Sequence, residues 1–396
     1  MALGLLAVTL LVIVYATVAK RLSTTIITAP ILFIGAGVLL SREAMIPDEI
    51  AERALHLAAE ITLVVLLFID AAQTDLKALV KHHTWPARML IIGLPLSVGL
   101  GTLAAYPFLP GWPLVAVALL AAILAPTDAA LGQAVVTNPI VPERERRSLT
   151  VESGLNDGLA LPLVLLFACW TAHATSDAAP NWLLFAAKQV ILGPAVGALV
   201  GWAGGRLLRV AKRADWTNES FEGVATLALA GSAYLAADLV GGNGFISAFV
   251  AGLLFGRVTD AACKFIFEFT ETEGQLLSWV TFLLLGLTLV PQAIAALTLP
   301  ALALILVSLL VVRPLAIWIS LIGTDAAPRT RLFFGWFGPR GLATALFALL
   351  VVPQIDHELA HPLLMLAINA VWISALLHGM SAMPFAKAYA KREGSK

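Results

Sequence analysis

The sequence predicts an all-α polytopic membrane protein of about thirteen transmembrane helices, and three observations carry that prediction. Apolar residues make up 60% of the 396, and charged residues only 13%, roughly half the charged share of an ordinary soluble domain. Apolar runs recur from Leu3 to Met380 with short gaps. Lys and Arg cluster in every second gap, as they do when loops alternate between two sides of a bilayer. A soluble chain of this length would need long polar faces, and none is present. The formal net charge of zero favours no partner.

A helix needs roughly 20 mostly apolar residues to cross a bilayer. Candidate spans lie near 2–19, 26–40, 54–72, 87–106, 112–136, 149–170, 182–207, 221–240, 244–256, 276–294, 300–321, 332–352 and 363–382. The first lacks a basic start and a small-residue cleavage site, so it reads as a span rather than a signal peptide. The second and ninth are short, which suits tilted or partly re-entrant segments. The runs lack strand alternation, and lipid requires each segment to satisfy its own backbone hydrogen bonds.

The loops after spans 1, 3, 5, 7, 9 and 11, with the segment after span 13, carry nearly all the loop cations, from Lys20 and Arg21 to Lys387 and Lys391. The remaining loops carry only Arg42 and Arg53. This asymmetry places the odd loops and the C-terminus in the cytoplasm and the N-terminus outside, in a plasma (inner) membrane. No loop is long enough to form a domain of its own. Cys169 and Cys263 fall near opposite faces without a metal-ligand spacing, so no pairing is expected.

A charged group at the bilayer centre costs at least about 2.5–3.5 kcal/mol and is a functional candidate by default. Lys188, Glu60 and Asp238 lie toward span ends, where long side chains reach water. Glu152, Asp157, Asp128, Arg313 and Arg340 are too deep for that. In span 5, "ALLAAILAPTDAALGQAVV", Pro126 removes a backbone donor and breaks the helix, with Thr127 and Asp128 directly after. In span 12, "FFGWFGPRGLATALFALL", Gly338, Pro339 and Gly341 do the same. If spans 1–6 (about 2–170) and 8–13 (about 221–382) are repeats joined by span 7 (182–207), span 5 corresponds to span 12. The repeats are then inverted, because spans 1 and 8 run in opposite directions. Interrupted helices at matching positions point to a transporter's binding site.

Span 6 contains "VESGLNDGLALPLVLLF". Ser153 and Asp157 are four apart, as are Glu152 and Asn156, so each pair stacks on a helix face. Asp157 and Ser153 offer oxygens to a hard monovalent cation, with Glu152 and Asn156 in support. Arg313, in "LLVVRPLAIW", is the countercharge available to Glu152.

With "APTDAALGQAVV", "VESGLNDG", "LLFIDA", Arg313–Pro314 and "GPRG" in this order, the chain resembles the cation:proton antiporter-1 family, in its NhaP-like sodium/proton antiporter and exchanger branch. The resemblance implies crossed broken helices 5 and 12 and a homodimer. It implies that Asp157 binds either the cation or a proton and that Thr127 and Ser153 supply oxygens. Asp128 and Asp70 would act indirectly. Glu152 with Arg313 would hold Asn156, and Arg340 would compensate charge at the helix-12 break. Asp70 stands where many members carry Glu, and a chain without the long regulatory tail of the animal exchangers is expected.

A desolvated carboxylate favours its proton and a bound cation expels it, so competition at Asp157 would exchange a monovalent cation, sodium or lithium, for protons. A potassium/proton antiporter is the alternative, since oxygen ligands suit either ion. A passive cation channel would need no proton-binding carboxylate. An intramembrane aspartyl protease would need a GxGD motif, which "LNDG" and "PTDA" do not supply. The reading requires no cofactor and no nucleic acid. Because Asn156 cannot titrate, exchange is expected to be electroneutral.

Overall fold

The structure is a computed structural model describing residues 2–22, 25, 28–43, 46–74, 84–128, 135, 138, 140–175, 182–259 and 264–393. Among these, every regular element is helical. Helices α1 (Ala2–Leu22), α2 (Ala29–Arg42) and α3 (Asp48–Gln73) precede α4 (Thr84–Phe108), which contains a π turn at Met89–Gly93. α5 (Leu114–Ile123) stops early, and α6 (Glu143–Thr175), α7 (Trp182–Arg213), α8 (Glu219–Leu239), α9 (Gly244–Thr259) and α10 (Lys264–Ala295) follow. α11 (Leu299–Ser320) contains a second π turn at Ser308–Val312. α12 (Pro328–Trp336) and α13 (Leu342–Val351) are the halves of one interrupted span, and α14 (His357–Glu393) comes last.

Each of the thirteen predicted spans therefore has its helix. Among the described residues, seven helices are long and apolar enough to cross a membrane, and five shorter apolar helices accompany them. Several helices outrun the apolar stretch that announced them. α6 begins at Glu143 rather than near 149, because Glu143 and Glu145 in its first turn suit the positive end of the helix dipole. Span 5 ends its first half at Ile123, and most of its continuation beyond Asp128 lies outside the described residues. Cys169 is a free, half-buried thiol, and Cys263 lies outside the described residues. Lys188, Glu60 and Asp238 are all exposed; Asp238 lies at the end of α8, whereas Glu60 lies midway along α3 rather than toward a span end.

The two π turns stand at equivalent places seven spans apart. Each is followed by a residue and then a proline, Leu94–Pro95 in α4 and Arg313–Pro314 in α11. Proline's ring collides with the carbonyl four residues back in a regular helix, and the wider π turn makes room for it. The helices meet here: a methyl group on Gly93 would touch Ile317 Cδ1 at 3.2 Å and Ser320 Oγ at 3.3 Å.

One large buried cluster runs through α2, α3, α5, α9, α10, α13 and α14. Phe33 stacks on Trp279 at 5.5 Å, joining α2 to α10. In α9, Gly252 and Gly256 lie against the carbonyls of Phe68 and Ala72 in α3, so no side chain fits there. Such small-residue pairs four apart let membrane helices approach closely. A second cluster, including Trp85, Phe334, Phe337 and Tyr389, ties α4, α12 and α14 together. Leu3, Ile91, Leu103, Leu199, Leu239 and Leu299 point outward, a surface that lipid covers at no cost.

Candidate functional site

The breaks in spans 5 and 12 lie against each other. The Asp128 amide donates to the Pro339 carbonyl at 2.9 Å. The segment that leaves α5 has carbonyls without helical donors, and Arg340 serves two of them: Nη1 donates to Ala125 O at 2.5 Å and to Pro126 O at 3.1 Å, just past the helix end. The start of α13 leaves amides without acceptors, and Asp128 Oδ2 accepts from Leu342 N at 3.0 Å. A cation at a helix C-terminus and an anion at an N-terminus are each the favourable choice for the dipole. Arg340 is fully buried, at 1% exposure. Gly341 is required by contact, because a Cβ there would coincide with the Asp128 carboxylate. A Cβ on Gly338 would strike the Arg313 guanidinium.

α6 passes beside this junction. Arg313 follows directly on the π turn of α11 and grips Glu152 with two bonds, Nη1 to Oε1 at 2.9 Å and Nη2 to Oε2 at 3.1 Å. Both side chains are buried, and the bidentate geometry is what a buried pair needs to offset desolvation. Asn156 Nδ2 donates to Thr127 Oγ1 at 2.5 Å and lies 3.4 Å from Glu152 Oε1. Thr127 Oγ1 lies 3.4 Å from Glu152 Oε2. Ser153 Oγ donates to the Thr127 carbonyl at 2.7 Å. The amide of Asn156 is thus held more closely by Thr127 than by Glu152.

Asp157 lies one turn beyond Ser153. It is partly buried, and its Oδ1 is fully buried with no hydrogen-bond partner. The charges acting on it are the carboxylates of Asp128, Asp70 and Glu152. Asp70 approaches from α3, where a methyl on Gly154 would meet Asp70 Cβ at 3.5 Å. All the sequence-derived candidates therefore gather in one region. Four carboxylates (Asp70, Asp128, Glu152, Asp157) face two guanidiniums (Arg313, Arg340), an excess of negative charge that suits a proton or a cation.

The sequence reading missed Ser374 and His378 of α14. Ser374 Oγ accepts from the Arg340 amide at 2.7 Å, and His378 Nδ1 lies 3.1 Å from that hydroxyl. Both are buried. The available signal was a polar pair four residues apart inside the apolar run "VWISALLHGM".

The chain is similar to several known proteins. The potassium/proton antiporter NhaP2 of Shewanella sp. strain ANA-3 is 29% identical over 335 residues, covering 82% of this chain and 56% of that protein. The potassium/proton antiporter NhaP of Alkalimonas amylolytica is 29% identical over 337 residues, covering 84% and 57%. The chain thus spans little more than half the length of these curated relatives. The structure of the sodium proton antiporter MjNhaP1 from Methanocaldococcus jannaschii at pH 8 superposes with a TM-score of 0.79 at 21% identity, covering 98% of both chains. The family described as "Sodium/hydrogen exchanger, transmembrane" matches residues 7–388. Its match over nearly the whole chain, on a fold with paired helix breaks, makes this protein a member of the transmembrane sodium/hydrogen exchanger family.

Proposed function

We propose that this chain is a secondary antiporter that exchanges a monovalent cation for protons, binding one or the other at Asp157. The observation that carries the reading is the buried, unpartnered Oδ1 of Asp157, set beside charged groups that already have partners. Arg313 is committed to Glu152, Arg340 to the end of α5, and Asp128 to the start of α13. A carboxylate in this setting holds a proton or a cation, not both, so each expels the other. Ser153 and Thr127 would contribute oxygens to the cation, with Asp128 and Asp70 acting through water. Rocking of one helical bundle against the other would expose the site to each side in turn.

Sodium, with lithium, is the cation the reading favours. Potassium is the second reading, supported by the names of the Shewanella and Alkalimonas relatives. The matching positions of the two π turns, added to those of the two breaks, support inverted repeats over about 2–170 and 221–382. The proposal extends to a homodimer in the plasma membrane, with the N-terminus outside and the C-terminus cytoplasmic. The test is the purified protein in proteoliposomes with an imposed pH gradient, challenged separately with sodium, lithium and potassium. Proton movement driven by one or more of these ions is the expected result. Absence of proton movement with all three would refute antiport.

A further inference from the structure

Three polar side chains of α14, Ser374, His378 and Ser381, recur at spacings of four and three and so share one helix face. Each reaches the interruption between α12 and α13. Ser374 Oγ accepts from the backbone amide of Arg340, on the α13 side of the gap, at 2.7 Å. Ser381 Oγ accepts from Trp336 Nε1, at the last residue of α12, at 3.2 Å. His378 stands between them. Its Nδ1 lies 3.1 Å from Ser374 Oγ and 3.0 Å from Ser374 O. Its ring packs 5.5 Å from the Trp336 ring.

The Arg340 N–H donates to Ser374 Oγ. A carbonyl oxygen only accepts, so a proton on His378 Nδ1 serves Ser374 O at 3.0 Å and faces Ser374 Oγ at 3.1 Å. The face of α14 then bridges both lips of the gap spanned by Phe337, Gly338 and Pro339. An interrupted helix has no ladder of its own at this point, so its geometry must come from outside. The only backbone amide between Pro339 and Gly341 belongs to Arg340, whose side chain also holds the end of α5.

We propose that Ser374 and His378 are positioning residues for the exchange reaction: a clamp that fixes the helix-12 break and thereby sets the affinity of the site at Asp128 and Asp157 for its cation. The clamp rests on the antiport reading for its effect on transport, but not for its effect on the backbone. Ser374→Ala removes the acceptor of a buried amide, a loss equivalent to about tenfold in an equilibrium. The apparent KM for the driving cation should therefore rise about tenfold, with turnover at saturating cation changed much less.

His378 supplies the discriminating pair. Asn at 378 places its amide where Nδ1 stands, and Gln places it where Nε2 stands. His378→Asn should keep a wild-type KM, and His378→Gln should resemble Ser374→Ala.

The experiment measures cation-driven proton flux in proteoliposomes for the wild type and these three variants. Hydrogen–deuterium exchange of the segment around Arg340 is followed in the same preparations. Faster exchange at the Arg340 amide in Ser374→Ala, with the expected KM pattern, is the supporting result. A lowered melting temperature with unchanged KM would reduce the two residues to structural supports and overturn the proposal, as would identical behaviour of His378→Asn and His378→Gln. Unchanged amide exchange in Ser374→Ala, with wild-type flux intact, would overturn the clamp alone. Failure of the wild type to exchange any cation for protons would overturn antiport while the amide measurement still reads the clamp.

Discussion

Arg340 and Asp128 cap each other's helix ends: the guanidinium from the break in span 12 closes the end of α5, and the carboxylate from the break in span 5 closes the start of α13. Arg340→Ala would leave two buried carbonyls without a donor, each costing about 1–3 kcal/mol. A lower melting temperature and at least a tenfold loss of exchange are expected. Arg340→Lys, which keeps charge but not the planar donor set, should fall between. Wild-type flux in Arg340→Ala would show that the capping is dispensable.

Asp157→Asn should abolish exchange and leave the fold intact. Asn keeps the shape, but it neither titrates nor carries charge. Cation-driven proton flux and the melting temperature, measured on one preparation, check both halves of the statement. Residual exchange in this variant would move the binding site elsewhere.

Glu152→Gln should act through stability. It leaves Arg313 buried without its counterion, at a cost of about 3–5 kcal/mol. Arg313→Gln in the same chain should restore part of the loss. The measurement is a double-mutant cycle on thermal stability in detergent. Additive losses would contradict the pair.

The loop between α11 and α12 gives a prediction for pH. Asp325 accepts two bonds from Arg144, at 2.6 and 3.0 Å, and one from Trp85 Nε1 at 2.7 Å. The Arg144 hydrogen bond is the main reason its carboxyl is held below the usual carboxylate range. A depressed folded value means that this stabilisation is present above the unfolded carboxylate range. It is lost as pH falls through the folded value. Both side chains are about half exposed, so solvent screening limits the effect to about 0–1 kcal/mol. Asp325→Asn should therefore lower the melting temperature slightly at neutral pH, and the difference from wild type should shrink on acidification below pH 4.

Asn156 cannot titrate, and Glu152 is bound to Arg313. One proton should therefore move per monovalent cation, and exchange should not respond to voltage. Flux in proteoliposomes clamped at several membrane potentials checks this. A stoichiometry above one proton per cation would implicate Asp128 or Asp70 as a second carrier.

Much of this architecture is legible in the sequence because the bilayer penalises ambiguity. Pro126 followed by Thr127 and Asp128, and the Gly338–Gly341 segment with two glycines around a proline, favour a break over a continuous helix, and burial of Glu152 is costly without a partner such as Arg313. Other features leave weaker marks. The π turns change only a hydrogen-bond register, and their one trace is the proline that follows each. Ser374 and His378 are visible as polar residues in an apolar span, but their partner is some thirty positions away in the chain and depends on how α14 lies across the break. The choice of Thr127 over Glu152 as the closer partner of Asn156, 2.5 against 3.4 Å, is likewise set by less than an ångström in the packing. Helix ends overran the expected limits because hydropathy measures the membrane and not the helix, as Glu143 in α6 shows.

The absence of room at Gly341 also constrains inheritance. A side chain at 341 would collide with the carboxylate at 128, so a lineage that keeps Asp128 has a single residue open to it there. Mutational routes through this site must change both halves of the molecule together. Two segments that lie more than two hundred positions apart in the chain are thus a single unit of selection.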